Sequence, residues 1–256
     1  MQLKFYKYQG TGNDFILIDN RNKKFRKDEG IIPKLCNRRF GVGADGLMLL
    51  EHHDAADFKM IYYNADGTQS LCGNGSRCAV AFAHFLGMID KSTYFETTDG
   101  FHRAEILEDG IVKFELLDVS QVEKLDEKSY FINTGSPHYI KLSENVENID
   151  IIQSGSSIRY SDKYAPHGTN VNFVEDLHGK IKVRTYERGV EDETLSCGTG
   201  VTACALMANR LGYDSPVSIE TKGGQLQVFF EEKNGNYSNI YLAGPAERVF
   251  QGTIEI

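Results

Sequence analysis

No apolar stretch in this 256-residue chain approaches the length of a membrane span, and no basic stripe runs along it. The chain has 28 Lys and Arg against 36 Asp and Glu, a formal charge of −8. That balance argues against nucleic acid or an anionic membrane surface as partner and leaves a small molecule as the better substrate class. The opening run Met1 to Tyr8 alternates like a strand and lacks the apolar segment of an export signal, so a cytoplasmic protein is expected. Cysteine is scarce and odd in number: Cys36, Cys72, Cys78, Cys197 and Cys204. Without an export signal this favours reduced thiols over a disulfide framework. The Cys72/Cys78 and Cys197/Cys204 spacings exceed those of zinc knuckles and no His cluster completes a ligand set, so no metal is expected. Gly41-Val-Gly-Ala-Asp-Gly46 matches a dinucleotide fingerprint, but a basic helical segment (34–39) precedes it and a strand-like one (47–50) follows. That order is the reverse of the dinucleotide context. No pyridoxal phosphate lysine motif or nicotinamide site is evident, and no cofactor is expected.

What the chain does contain is a duplication. The sixteen residues from Cys72-Gly-Asn-Gly75 to Leu86-Gly87 return as Cys197-Gly-Thr-Gly200 to Leu211-Gly212, an offset of 125 positions (197 less 72). Phe95-Glu-Thr-Thr-Asp-Gly100 is echoed by Ile219-Glu-Thr-Lys-Gly-Gly224, and Gly10-Thr-Gly-Asn-Asp-Phe15 more faintly by Thr134-Gly-Ser-Pro-His-Tyr139. A repeat of about half the chain implies two similar domains with a shared site between them, not a solenoid. The boundaries expected are 1–118 plus 245–256 for the half carrying Cys72, and 119–244 for the half carrying Cys197.

In each half the clearest helical signal follows the Gly-rich turn: 76–86, ending at Gly87, and 201–211, ending at Gly212. Both stretches are apolar nearly all round and are expected to be buried. Strand patterns fall at 3–9, 14–19, 45–50, 57–63, 93–97, 102–107 and 111–116, then at 129–133, 138–142, 171–175, 181–186, 216–220, 225–231 and 238–243. Short turns such as Glu108-Asp-Gly110 favour antiparallel pairing. The fold class expected is α+β: two pseudo-symmetric β-rich domains, each a mixed sheet or barrel wrapped around a central helix, with the active site in the cleft between them.

Cys-Gly-x-Gly at a helix start has a backbone rationale. The glycines let the chain bend tightly and aim several unpaired N–H groups at one point, where an anion can sit with a thiol at its edge. The positive helix end favours thiolate. One such cysteine could be a small buried hydrophobe, but packing gives no reason for two at the same point of each repeat. Two equivalent acid/base groups suit inversion at a carbon bearing an acidic proton, one thiolate removing the α-proton and an opposed thiol returning a proton to the other face. Cys36, Cys78 and Cys204 are read as core residues.

These motifs, with Asn64-Ala-Asp-Gly67 before the first cysteine and Tyr186-Glu-Arg-Gly189 before the second, resemble the diaminopimelate epimerase family over essentially the whole chain. The resemblance implies a pyridoxal-independent homodimer that interconverts LL- and meso-diaminopimelate for lysine and peptidoglycan synthesis. It implies Cys72 and Cys197 as the acid/base pair, with His138 and Glu187 beside them. Asn13, Asn64, Asn170 and Arg188 would hold the polar groups of the substrate, Glu187 lying in the same set. Gly73, Asn74, Gly198 and Thr199 would bind the reacting carboxylate. Three positions depart from the family's common pattern: Ser136 where many members have Asn, Gly46 where some have Gln, and a loop one residue longer between Arg188 and Thr194. Alternatives are a proline or hydroxyproline racemase of the same architecture, a cysteine-nucleophile amidase using one thiol with His138, and a binding protein that retains the anion nests.

Overall fold

The computed structural model describes residues 2–26, 28 and 30–256. The chain divides into two compact units, Met1–Phe114 with Gly244–Ile256, and Glu115–Ala243. In the first lie β1 (Gln2–Gly10), β2 (Asn13–Asp19), α1 (Ile31–Cys36), β3 (Gly46–Glu51), β4 (Phe58–Asn64), α2 (Gly73–Phe85), β5 (Ser92–Thr97), β6 (Gly100–Ile106) and β7 (Val112–Glu115). The second holds β8 (Val122–Lys124), β9 (Ser129–Asn133), β10 (Pro137–Leu142), α3 (Ile151–Arg159), β11 (Asn170–Asp176), β12 (Ile181–Glu187), β13 (Asp192–Thr194), α4 (Gly198–Asn209), β14 (Val217–Thr221), β15 (Gly224–Lys233) and β16 (Asn236–Gly244). A last strand, β17 (Glu247–Glu255), returns to the first unit and pairs antiparallel with β1.

Both units are β-rich and use one pairing scheme. In the first, β1–β2 is antiparallel, β2–β3 parallel, β3–β4 antiparallel, β4–β5 parallel, and β5–β6 and β6–β7 antiparallel. The second repeats the sequence with β9–β10, β10–β11, β11–β12, β12–β14, β14–β15 and β15–β16. Even the tight turns match: Thr97 Oγ1 donates to the Gly100 carbonyl at 3.1 Å and Thr221 Oγ1 to that of Gly224 at 3.0 Å.

The equivalent helices α2 and α4 pack against the strands of their own units and form the cores. Cys78, Ala79, Val80, Phe82 and Ala83 are buried in one, and Val201, Ala203, Cys204, Leu206 and Met207 in the other. Alanine and small aliphatic side chains let sheet backbone approach a helix from several directions, which suits a helix that is covered all round. Each helix closes alike, with Met88 N–H donating to the Ala83 carbonyl and Tyr213 N–H to that of Ala208, past glycines at φ 67° and 98°. Both begin directly after the cysteine, three residues before the first residue of their apolar runs, because the Gly-rich turn itself is already helical. Among the described residues no helix is long and apolar enough to cross a membrane.

Candidate functional site

Cys72 and Cys197 are the N-cap residues of α2 and α4, in matching extended conformations with φ,ψ of −133°, 109° and −112°, 111°. Their carbonyls accept the first helical bonds, from Ser76 N–H and Val201 N–H. The side chains therefore stand beside the N–H groups of the first turn, where the helix end carries partial positive charge. The second glycine of each motif lets a strand side chain approach the helix start closely, Met48 of β3 in the first unit and Asn172 of β11 in the second. A Cβ on Gly75 would lie 2.2 Å from Met48 Cε, and one on Gly200 would lie 2.6 Å from Asn172 Oδ1 and 3.3 Å from Cys197 Sγ.

Around Cys72, the Gly75 N–H donates to Sγ at 3.4 Å and Asn13 Oδ1 lies 3.5 Å from Sγ. Asn13 is held from behind, its amide nitrogen donating to Asp45 Oδ2 at 2.5 Å, so its oxygen faces the thiol and the Asn74 amide. Asp45 in turn accepts from Arg38, which also grips Asp14 with two bonds of 2.9 and 2.7 Å. Lys7 reaches Asp14 from the core side at 2.6 Å. Burial alone would raise the Asp14 carboxyl, but Arg38 and Lys7 override it and hold it at about 2. Behind Asn74 lies a fully buried Arg77, bonded to Asn74 Oδ1 (3.0 Å), Thr11 Oγ1 (3.3 Å) and the Gly73 carbonyl (3.5 Å). Burial pushes this guanidinium down to about 10. Its counterpart in the second repeat is the neutral Thr202, bonded to the Gly198 carbonyl at 2.9 Å. The two thiols thus sit in different electrostatic settings despite the common fold.

Around Cys197, Thr199 Oγ1 lies 3.6 Å from Sγ and 3.0 Å from Nε2 of His138. Thr134 fastens the Thr199 carbonyl at 3.0 Å. His138 is fully buried on β10; burial first and the Arg188 charge second drive its pKa down to about 3, so the imidazole is neutral. A second polar cluster gathers in the same unit. Asn170, 3% exposed, donates to Ser136 Oγ and the Pro137 carbonyl, both at 2.9 Å, and accepts the Arg188 N–H at 2.9 Å. The Arg188 guanidinium reaches Ser136 Oγ at 3.4 Å and the His167 carbonyl at 3.3 Å. Glu187 accepts from Thr194 Oγ1 at 2.8 Å. Asn64, in the first unit, bonds Thr68 and Ser70 of its own turn at 3.0 and 3.2 Å.

The three departures each have a structural account. Ser136 joins Asn170 to Arg188 through its hydroxyl. Gly46 admits no side chain, since a Cβ there would lie 2.4 Å from Tyr62 Cε2 and 2.6 Å from the Tyr63 carbonyl. The longer loop is tied down by Glu191, whose carboxylate takes Arg159 at 3.0 Å, Tyr160 at 2.8 Å and the Gly189 N–H at 3.0 Å. The sequence reading missed Arg38, Asp45, Arg77 and Asn172. Only Asn172 carried a readable signal: it lies two residues from Asn170 on one strand, hence on the same face.

A family model described as diaminopimelate epimerase matches residues 5–121 and 130–249. The diaminopimelate epimerase of Flavobacterium psychrophilum is 50% identical over 98% of this chain and 100% of its own length, and that of Aquifex aeolicus 42% identical over 98% of each. Among solved structures, a phenazine biosynthesis protein of the PhzF family from Bacillus anthracis superposes with a TM-score of 0.79 at 14% identity, each chain covered in full. That likeness shows a shared fold. With cysteines capping both repeated helices and these relatives matching along nearly its whole length, the chain belongs to the diaminopimelate epimerase family.

Proposed function

We propose that this protein interconverts LL- and meso-diaminopimelate by two-base proton transfer between Cys72 and Cys197. The observation that carries the reading is the paired Cys-Gly-x-Gly helix starts in a chain of this family. One cysteine, as thiolate, removes the α-proton; the other, as thiol, protonates the opposite face of the same carbon, and the roles exchange in the reverse direction. Backbone N–H groups of Gly73 and Asn74, and of Gly198 and Thr199, take the reacting carboxylate. Their fixed dipoles stabilise the negative charge that develops as the α-proton leaves. Asn13 bears on Cys72, and His138 and Glu187 orient the Cys197 side. Asn64, Asn170 and Arg188 hold the distal amino acid end, a polar lining that penalises a substrate lacking it. The protein acts without cofactor, as a cytoplasmic homodimer, in lysine and peptidoglycan precursor synthesis.

The test is conversion of LL-diaminopimelate to the meso isomer by purified, reduced protein, with proline assayed in parallel. Turnover should persist in hydroxylamine, which disables pyridoxal phosphate enzymes, and be abolished by iodoacetamide. Racemisation of proline with silence on diaminopimelate would overturn the substrate assignment. Light scattering should give twice the 28.7 kDa chain mass; a monomer would overturn the dimer.

A further inference from the structure

We infer that Asn172 is a positioning residue that fixes the tautomer of His138 and, through it, turns the Thr199 hydroxyl proton toward the Cys197 sulfur. Hydrogen-bond polarity runs along a chain of four side chains, from Asn172 through His138 and Thr199 to Cys197. Asn172 is wholly buried on β11, and its amide nitrogen lies 3.1 Å from the Tyr139 carbonyl oxygen, which can only accept. Its amide oxygen takes the Thr185 hydroxyl at 2.9 Å. The orientation of the amide is therefore set from both sides. The same nitrogen lies 3.2 Å from Nδ1 of His138, so its second hydrogen points at Nδ1 and that nitrogen must accept. A neutral imidazole that accepts at Nδ1 carries its proton on Nε2. Nε2–H then donates to Thr199 Oγ1 at 3.0 Å, leaving the hydroxyl hydrogen free to point at Cys197 Sγ, 3.6 Å away.

The consequence is a donor aimed at sulfur, which favours thiolate over thiol at Cys197. On the first repeat the partners of the sulfur are mixed. Asn13, its nitrogen committed to Asp45, presents an acceptor oxygen to Cys72 at 3.5 Å, while the Gly75 N–H donates to the same sulfur at 3.4 Å and the buried Arg77 cation acts on it. This deepens the two-base reading and rests on it for its catalytic meaning: it gives Cys197 a positioned hydroxyl donor that supports its thiolate form. The proton inventory itself can be measured without substrate, so a protein inactive on diaminopimelate would still test it.

The direct experiment is two-dimensional nitrogen–proton NMR of the histidine rings in the reduced, unliganded protein at pH 7, with His138 assigned by its loss in His138→Gln. The Nε2–H tautomer is expected, with Nδ1 at the shift of an unprotonated nitrogen; an Nδ1–H tautomer overturns the inference. Site-resolved alkylation by iodoacetamide supplies the second readout. Asn172→Ala should slow Cys197 at pH 7 by about tenfold, one pK unit, without slowing Cys72. Asn172→Asp, which can accept from Nδ1–H, should switch the tautomer. A merely structural role for Asn172 would move neither the tautomer nor the Cys197 pKa in variants that keep the wild-type fold by circular dichroism. Should both variants fail to fold, the wild-type tautomer still decides the matter.

Discussion

At the scale of single residues, the proposed chemistry requires both thiols. Cys72→Ser and Cys197→Ala should each cut epimerisation by roughly 10²–10⁴-fold, the usual contribution of a positioned acid or base; near-normal turnover in either would contradict a two-base mechanism. One thiol must be ionised and the other protonated, so kcat/KM should follow a bell-shaped pH profile. A sigmoidal profile would argue for a single titrating base. Packing sets another residue-level expectation at Gly46. Gly46→Ala drives a methyl into Tyr62 and the Tyr63 backbone and should cost about 1–3 kcal/mol, read as a lower urea midpoint. The cysteines were legible in the sequence because duplication marks them twice. Arg77 was not, because one cation in an apolar run reads as a solvent-facing residue. Its burial follows from the strands around α2, which no local pattern encodes. Asn172 acquires its place beside His138 only from the parallel register of β10 and β11.

At the scale of elements, the strands with alternating burial were readable to within a residue or two at most ends. β17 was missed. Its residues 247–251 are all exposed, so Glu247-Arg-Val-Phe-Gln251 shows no alternation, and pairing with β1 alone makes it a strand. β8 and β13, with three residues each, are too short for any periodicity. Helix α3 was missed for a different reason: Ile151-Ile-Gln-Ser-Gly-Ser-Ser-Ile-Arg159 is rich in poor helix formers. What holds it is context. Asp150 caps the first turn through the Gln153 N–H, and Gly155 lets the helix lie against Tyr186, where a Cβ would come within 2.4 Å of the ring-bearing carbon. Asp150→Ala should therefore cost about 1 kcal/mol, measured by chemical denaturation, and faster amide exchange should concentrate in residues 151–159. An unchanged midpoint with unchanged exchange would show that packing against Tyr186 holds the helix without its cap.

At the scale of the whole molecule, the repeat explains why so much was visible: one pairing scheme and one helix type are written twice. What duplication leaves free is where the halves differ, Arg77 against Thr202 and Asn74 against Thr199, and these differences give the two thiols unlike surroundings. The ionic support of the Cys72 side also sets an acid limit. Asp14 has its pKa lowered from the ordinary carboxylate value to about 2, so the stability it contributes is present above about pH 4 and is lost as pH falls toward 2. Protonation there removes on the order of 2 kcal/mol. Asp14→Asn should unfold more easily at neutral pH and show a shallower loss of stability between pH 4 and 2 than wild type; parallel curves would show that other carboxylates govern acid unfolding. Two-base inversion can be followed through the fate of deuterium during the first turnovers of LL-diaminopimelate in D2O, read by NMR and mass spectrometry. Deuterium is expected at the α-carbon of the meso product while recovered LL substrate stays unlabelled. Label accumulating equally in substrate and product from the earliest times, or retention of the original proton in the product, would contradict two-base inversion.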